Sequence, residues 1–327
     1  MSRGMALCVR TVIPSLFPFM VISELLVSTG VAQRMGKVVG RPLSRLLALS
    51  PDGAAALTLG LICGFPVGSR CALSLYERGQ ISRGELEHLL TFCNSPSSAF
   101  LTGAVGVGLF ASEGFGILLY FTHLISSLTV GLLGKRYFAA DKSHGEYCVP
   151  SHANSARRGG ASAFCGAVCD SARSMLYVSA FVIFFSAASG VLEHLIELFG
   201  APDSLSVLLL GILEMTGGVN AAAALPSPVA PIAAAAITGW SGLSVAFQLG
   251  GLCGDRDISL KPYFISKALC ALLNAALVAL ALTLLGGISS LPASESVSLL
   301  LPVSHALSPL WLSLFIGGCV AIRPRKS

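Results

Sequence analysis

Charge is the first thing this chain lacks. Only 11% of its 327 residues are Asp, Glu, Lys or Arg, against about 25% in a soluble domain. Mean hydropathy is +0.79, and 54% of the residues are hydrophobic. Several apolar runs approach or exceed the ~20 residues that span a bilayer. That composition describes an integral membrane protein. The net charge of +5 is modest and sits in loops, so it reads as membrane topology and not as nucleic-acid binding. A paired-cysteine pattern is also missing. The ten cysteines are scattered, only Cys165 and Cys169 lie close, and no CxxC occurs. Neither a disulfide framework nor a zinc site has such spacing. In apolar segments cysteine acts as a small hydrophobe. No nucleophile–base pair, phosphate loop or metal-ligand cluster is seen, which argues against an enzyme. Gly103–Gly108 is glycine-rich, but inside an apolar segment close helix packing explains it better than a nucleotide site. The N-terminus shows no signal-peptide cleavage pattern.

What is present is a set of interrupted apolar runs. A first span, Met5–Gly30, holds Pro14 and Pro18. Val31–Ser50 is a polar linker with Arg34, Lys37, Arg41 and Arg45 and no acid. Pro51–Tyr76 is apolar but broken by Gly64-Phe65-Pro66-Val67-Gly68-Ser69-Arg70. Each half is about ten residues, too short to cross alone at ~1.5 Å per residue. A re-entrant helical hairpin fits this run best, with a single broken span as the alternative. Ser82-Arg83-Gly84-Glu85 is a capping box that starts a short helix. That helix breaks at Cys93-Asn94-Ser95-Pro96, after which Ser97–Phe110 and Phe115–Leu133 are apolar. Broken backbone at membrane depth survives only where protein buries it or water lines it.

The second half repeats the plan. Met175–Ser186 resembles Val12–Ser23. Leu208–Leu225 is interrupted at Glu214–Asn220, Ala233–Gly251 at Thr238–Ser244, and Tyr263-Phe264 opens a span as Tyr120-Phe121 does. The loop after the first span is basic and falls inside by the positive-inside rule. Its counterpart carries Glu193, Glu197 and Asp203 without Lys or Arg and falls outside. Equivalent spans then cross in opposite directions, an inverted-topology repeat. Lys135–Arg173 and the tail Arg323–Lys326 lie inside. One misfit remains: Arg3 and Arg10 fall outside, and an additional upstream span would remove it. The expected fold is all-α and polytopic, with two inverted-topology repeats, each holding a re-entrant helical hairpin and a broken helix. The divisions are 1–137 (first repeat), 138–170 (cytoplasmic linker), 171–285 (second repeat) and 286–327 (a terminal transmembrane helix and basic tail).

The expected site is built from these breaks. Arg70 offers an anion clamp, since guanidinium suits carboxylates and helix N-termini opened at Gly64, Pro66, Gly68 and Ser69 add N–H donors. The plainer reading is an interfacial cation or an ion pair with Glu214. Glu214, Thr216 and Asn220 occupy the second hairpin, where a carboxylate binds a coupling proton or sodium ion, or caps broken-helix N–H groups. Asn94, Ser95, Ser97 and Ser98 in one broken span, and Ser241, Ser244 and Gln248 in the other, line a polar path or satisfy freed backbone. His123 reads as a packing hydrogen bonder. Lys267 is placed near the inside end, snorkelling. Glu24 is expected to pair with the following loop. Trp240 stacks on a substrate ring or packs in the break.

Val12–Phe19, Gly64–Arg70, Phe92–Pro96 with Gly103–Phe110, Glu214–Gly217 and Gly242–Val245 together resemble the sporulation integral membrane protein YlbJ family, within the nucleoside-recognition or Gate group. The resemblance implies paired hairpins around a midplane site and a mother-cell protein of endospore formers, in the outer forespore membrane. It implies transport of a small anion, dipicolinic acid for the stage V sporulation protein V, with no cofactor. Lys is common in the family where this chain has Arg70, so the cation is kept but its geometry differs. A nucleoside-type carrier and a non-transporting scaffold are the rival readings.

Overall fold

The computed structural model describes residues 5–6, 8–9, 13–29, 41–140, 160–254 and 256–284. The expected terminal span and tail, the first half of the basic linker after the first span (31–40), and residues 141–159 lie outside them. Among the described residues there are helices and no strands. In chain order these are α1 (Ile13–Ser28), α2 (Arg41–Leu47), α3 (Pro51–Cys63), α4 (Val67–Glu77), α5 (Arg83–Phe92), a π-helical segment (Phe100–Leu109), α6 (Glu113–Ala140), α7 (Gly160–Phe199), α8 (Asp203–Leu213), α9 (Met215–Ala223), α10 (Val229–Trp240), α11 (Gly242–Cys253) and α12 (Lys261–Leu284). Among the described residues four stretches are long and apolar enough to cross a membrane: Glu113–Lys135, Ala161–Phe199, Val229–Cys253 and Lys261–Leu284. The fold is thus an all-α polytopic membrane protein.

Local chemistry explains where these helices start and stop. Ser50 accepts the Gly53 N–H to begin α3, and Ser82 accepts the Glu85 N–H to begin α5, as its capping box requires. Glu214 begins α9 in the same way, with its carboxylate on two amide groups. Gly64 ends α3 at φ +77°, and Ser241 ends α10 at φ +70°. Ser241 is a non-glycine residue in the left-handed region, which is uncommon enough to mark the break.

Two large buried clusters and a smaller one, Met20 and Val67 against Met175 and Val178 of α7, form the core of the described residues. One large cluster joins α3, α4 and α5 through Leu57, Leu73, Leu89 and Phe92 to Leu249 of α11 and Tyr263 of α12. The other joins the π segment and α6 to α8, α9, α10 and α12 through Leu101, Leu119, Met215 and Ile237. α3 packs beside α4, and α8 beside α9. α1 lies along α7, and α6 along α12. The outward faces of α7 and α12 are apolar: Leu176 is 72% and Leu272 70% exposed. In water such faces would be costly, whereas lipid covers them.

One end of the bundle is polar and cross-linked. Glu85 accepts the Ser50 N–H at 2.6 Å, and Lys135 donates to the Arg45 and Leu46 carbonyls. Arg83 binds Asp257 at 2.7 Å, Glu87 accepts the Ser259 N–H at 3.0 Å, and Arg256 pairs with Glu77. The start of α3, the end of α4, the start of α5, the end of α6 and the α11–α12 connection therefore meet there.

Candidate functional site

In the first half the two interruptions lock together. The Phe65 N–H donates to the Ser95 carbonyl at 2.8 Å. A Cβ on Gly64 would strike the Ser97 backbone, so the hairpin tip rests directly on the break in the next span. Gly60 and Gly68 touch each other across the hairpin, and both press on the Cys93 carbonyl. Ser69 donates to Asn94 Oδ1 at 2.8 Å.

The second half is assembled alike. Gly211 and Gly218 bring α8 and α9 into backbone contact. A Cβ on Gly242, at φ +83°, would meet Glu214 and the Met215 N–H, so this tip also rests on the break of the next span. Trp240 donates its indole N–H to the Ile212 carbonyl at 3.1 Å, across that contact. Its ring lies 6.3 Å from that of Phe264, which is the packing role of the two weighed for it. Glu214 accepts the Thr216 N–H at 2.9 Å and the Gly217 N–H at 2.7 Å.

Both breaks converge on one side chain from α12. Lys267 is 2% exposed. Its ammonium donates to the Asn94 carbonyl at 2.6 Å and to Ser241 Oγ at 3.3 Å. It also lies 5.8 Å from the centre of the Tyr263 ring, within cation–π range. Its placement corrects the expectation of a lysine snorkelling to the inner interface. α12 starts at Lys261, so Lys267 stands six residues, or about 9 Å, into the helix. A snorkelling stem would have to turn back past the polar groups that hold it. Next to it, Ser266 donates to the Thr91 carbonyl at 3.0 Å. Asn274 donates to the Ala235 carbonyl at 2.8 Å.

A narrow crevice, too tight here to hold a water molecule, lies beside this centre, lined by Phe65, Pro66, Ser69, Asn94, Gln248 and apolar side chains of α11. Of the expected site residues, Pro66, Ser69, Asn94 and Gln248 meet here. Gly64 and Gly68 do not line it; they face Ser97 and the Gly60–Cys93 contact instead. Ser244 is buried one turn from Gln248 and accepts its amide at 3.2 Å. Ser95 is buried and touches Ser127 at 3.3 Å. Ser97 turns away to cap the π segment through the Phe100 N–H. Thr216 and Asn220 lie on the exposed side of α9 and are not brought to the crevice.

Arg70 is set back from the crevice. It stands 3.7 Å from Glu77 and 4.0 Å from Glu24, and so joins a network in which Arg78 binds Glu24 at 2.6 Å and Ser74 donates to Glu24 at 3.0 Å. Its carboxylates among the described residues are therefore Glu24 and Glu77, not Glu214, and Glu24 pairs with α4 and its C-cap Arg78, while residues 30–40 of the loop expected to pair with it lie outside the described residues. His123 is buried, with Nε2 3.3 Å from Ser127 Oγ, and its Nδ1 has no hydrogen-bond partner among the described residues. The residues that the sequence undervalued are Lys267, Ser266 and Ser127. The available signal was depth: Lys267 lies well inside an apolar span that opens with Tyr263-Phe264.

Comparison with known proteins agrees with this architecture. Residues 9–133 match the Gate family model, described as nucleoside recognition. The sporulation integral membrane protein YlbJ of Bacillus subtilis (strain 168) is 31% identical over 299 residues, 82% of this chain and 73% of that protein. No solved structure matches. Identity of that extent over most of both chains places this one in the family of the sporulation integral membrane protein YlbJ.

Proposed function

We propose that this protein is a membrane carrier for a small carboxylate, working by alternating access around the two sets of interrupted helices. The observation that carries the reading is the meeting of two breaks, one from each half, on the buried ammonium of Lys267 beside a narrow crevice that Ser69, Asn94 and Gln248 help to line. A scaffold has no use for an ammonium and several buried hydroxyl and amide groups at the centre of its bundle, because each is expensive away from water. Carriers place substrate and ion sites where discontinuous helices meet. The α4 N-terminus has no side-chain cap. Pro66 and Ser69 bring it to the crevice, where its positive end suits a carboxylate. In this reading Ser69, Asn94 and Gln248 contact the substrate, and Arg70 holds α4 in place.

The repeat belongs to the same proposal. Each half contains a hairpin closed by a glycine pair, and each hairpin tip rests on the break of the following span. Aligning Tyr120-Phe121 with Tyr263-Phe264 makes Ser127 the equivalent of Cys270. Those two side chains touch at 3.8 Å where α6 and α12 cross. A contact between equivalent positions is what a two-fold axis at that point requires. The α3–α4 hairpin then enters from the inside and the α8–α9 hairpin from the outside.

The relative's name ties it to sporulation. On that ground we propose dipicolinate as the substrate and the outer forespore membrane as the location. Purified protein in liposomes should take up labelled dipicolinate saturably, and unlabelled dicarboxylates should compete. The Gate description favours a second reading, a nucleoside-type carrier; competition by uridine instead of dicarboxylates would select it. Uptake no greater than in empty liposomes for either solute would leave a scaffold.

A further inference from the structure

Lys267 sits where two helices end. α5 ends at Phe92, and the Asn94 carbonyl that accepts the ammonium lies just past its C-terminus. α10 ends at Trp240, and Ser241 is its C-terminal cap. Ser241 Oγ accepts from Lys267 and donates to the Thr238 carbonyl at 3.2 Å, and so passes the ammonium's polarisation to the last turn of α10. A helix C-terminus carries roughly −0.5 of an elementary charge. Two of them add to about −1, which one ammonium balances. The other titratable groups around the ammonium are the Cys93 and Cys270 thiols, the Tyr263 phenol and the His123 imidazole. Among the described residues no carboxylate lies within ion-pair distance of Lys267. The partners of this ammonium are therefore helix ends, a hydroxyl and a ring face.

Backbone carbonyl groups and a hydroxyl at the C-terminal ends of broken helices form the oxygen environment that holds a sodium ion in carriers of this general design. Close packing brings that environment together here. A Cβ on Gly239 would strike the Ala271 backbone, so α12 runs tight against the end of α10. We propose that the Lys267 ammonium is a tethered cation, filling a site between the C-termini of α5 and α10 that without it would take a small monovalent cation. Asn94 connects this site to the crevice, since its carbonyl holds the ammonium while its side chain lines the cavity. With the two negative helix ends neutralised, the positive end of α4 is left to receive an anion. The inference deepens the carrier reading and depends on it only in that last step.

The test reads stability and not transport, so its failure and that of the carrier reading are separable. Detergent-purified protein is melted in choline, sodium, potassium and methylammonium chloride. Wild type should melt at one temperature in all four. Lys267→Ala should melt several degrees lower in choline, and methylammonium or an alkali ion, but not the bulky choline, should restore much of the loss. Lys267→Met, which keeps the stem and removes the charge, should behave likewise. If Lys267→Ala cannot be recovered as monodisperse protein in choline, its recovery in methylammonium supports the proposal. Failure in every medium contradicts it. A variant as stable as wild type in choline, or a loss that no small cation repairs, also overturns it.

Discussion

At the scale of single residues, two buried cations divide the work that the sequence offered to one. Arg70 stands at the conspicuous Gly-Phe-Pro-Val-Gly-Ser motif, yet Glu24 and Glu77 claim it. Lys267 has no such motif around it and occupies the centre. Sequence spacing could not rank the two, because their partners lie on distant segments: Asn94 and Ser241 for one, Glu24 for the other. Glu24→Gln removes a 3%-exposed carboxylate from Arg78, Arg70 and Ser74. We expect a loss of about 3 kcal/mol, the cost of orphaning a buried ion pair, read as a lower melting temperature. Asn94→Ala takes a lining amide from the crevice and the acceptor from Ser69, but leaves the backbone carbonyl that Lys267 uses. Substrate uptake should fall at least tenfold while membrane insertion persists. Undiminished uptake would remove Asn94 from the site.

At the scale of elements, the breaks were legible and their interlocking was not. Gly64, Pro66, Pro96 and Gly242 mark where helices stop, because proline lacks a donor and glycine accepts a positive φ. The Ser82 capping box and the short polar helix after it could be read directly. That Phe100–Leu109 winds as a π-helix could not. Its apolar, glycine-containing sequence suits any helix, and the contact of Gly106 with Gly116 of α6 is a tertiary fact. Nor does a local pattern say that Gly60 and Gly68 meet over the Cys93 carbonyl. Gly68→Val would force α3 and α4 apart, and we expect no monodisperse protein or a melting temperature lowered by many degrees. Gly103→Ala is the control: nothing lies within 4 Å of the added carbon, so it should be neutral. A tolerated valine at Gly68 would mean that the hairpin is not closed as described.

At the scale of the whole molecule, the low charge and long apolar runs fixed the class, and the basic and acidic loops suggested how equivalent segments are oriented. The charge pattern carries that expectation because a loop's Lys and Arg content responds to the membrane side, whatever the fold between loops. Contacts across the bundle were beyond it, since Ser127 meeting Cys270 joins positions 143 residues apart. The central claim is that two hairpins approach one polar centre from opposite faces. The direct measurement is accessibility of single cysteines, in a chain otherwise free of cysteine, placed at Gly79 after α4 and at Ser227 after α9. In intact cells an impermeant maleimide should label Ser227→Cys from outside and reach Gly79→Cys only after the membrane is opened. Labelling of both from the same side would contradict the account.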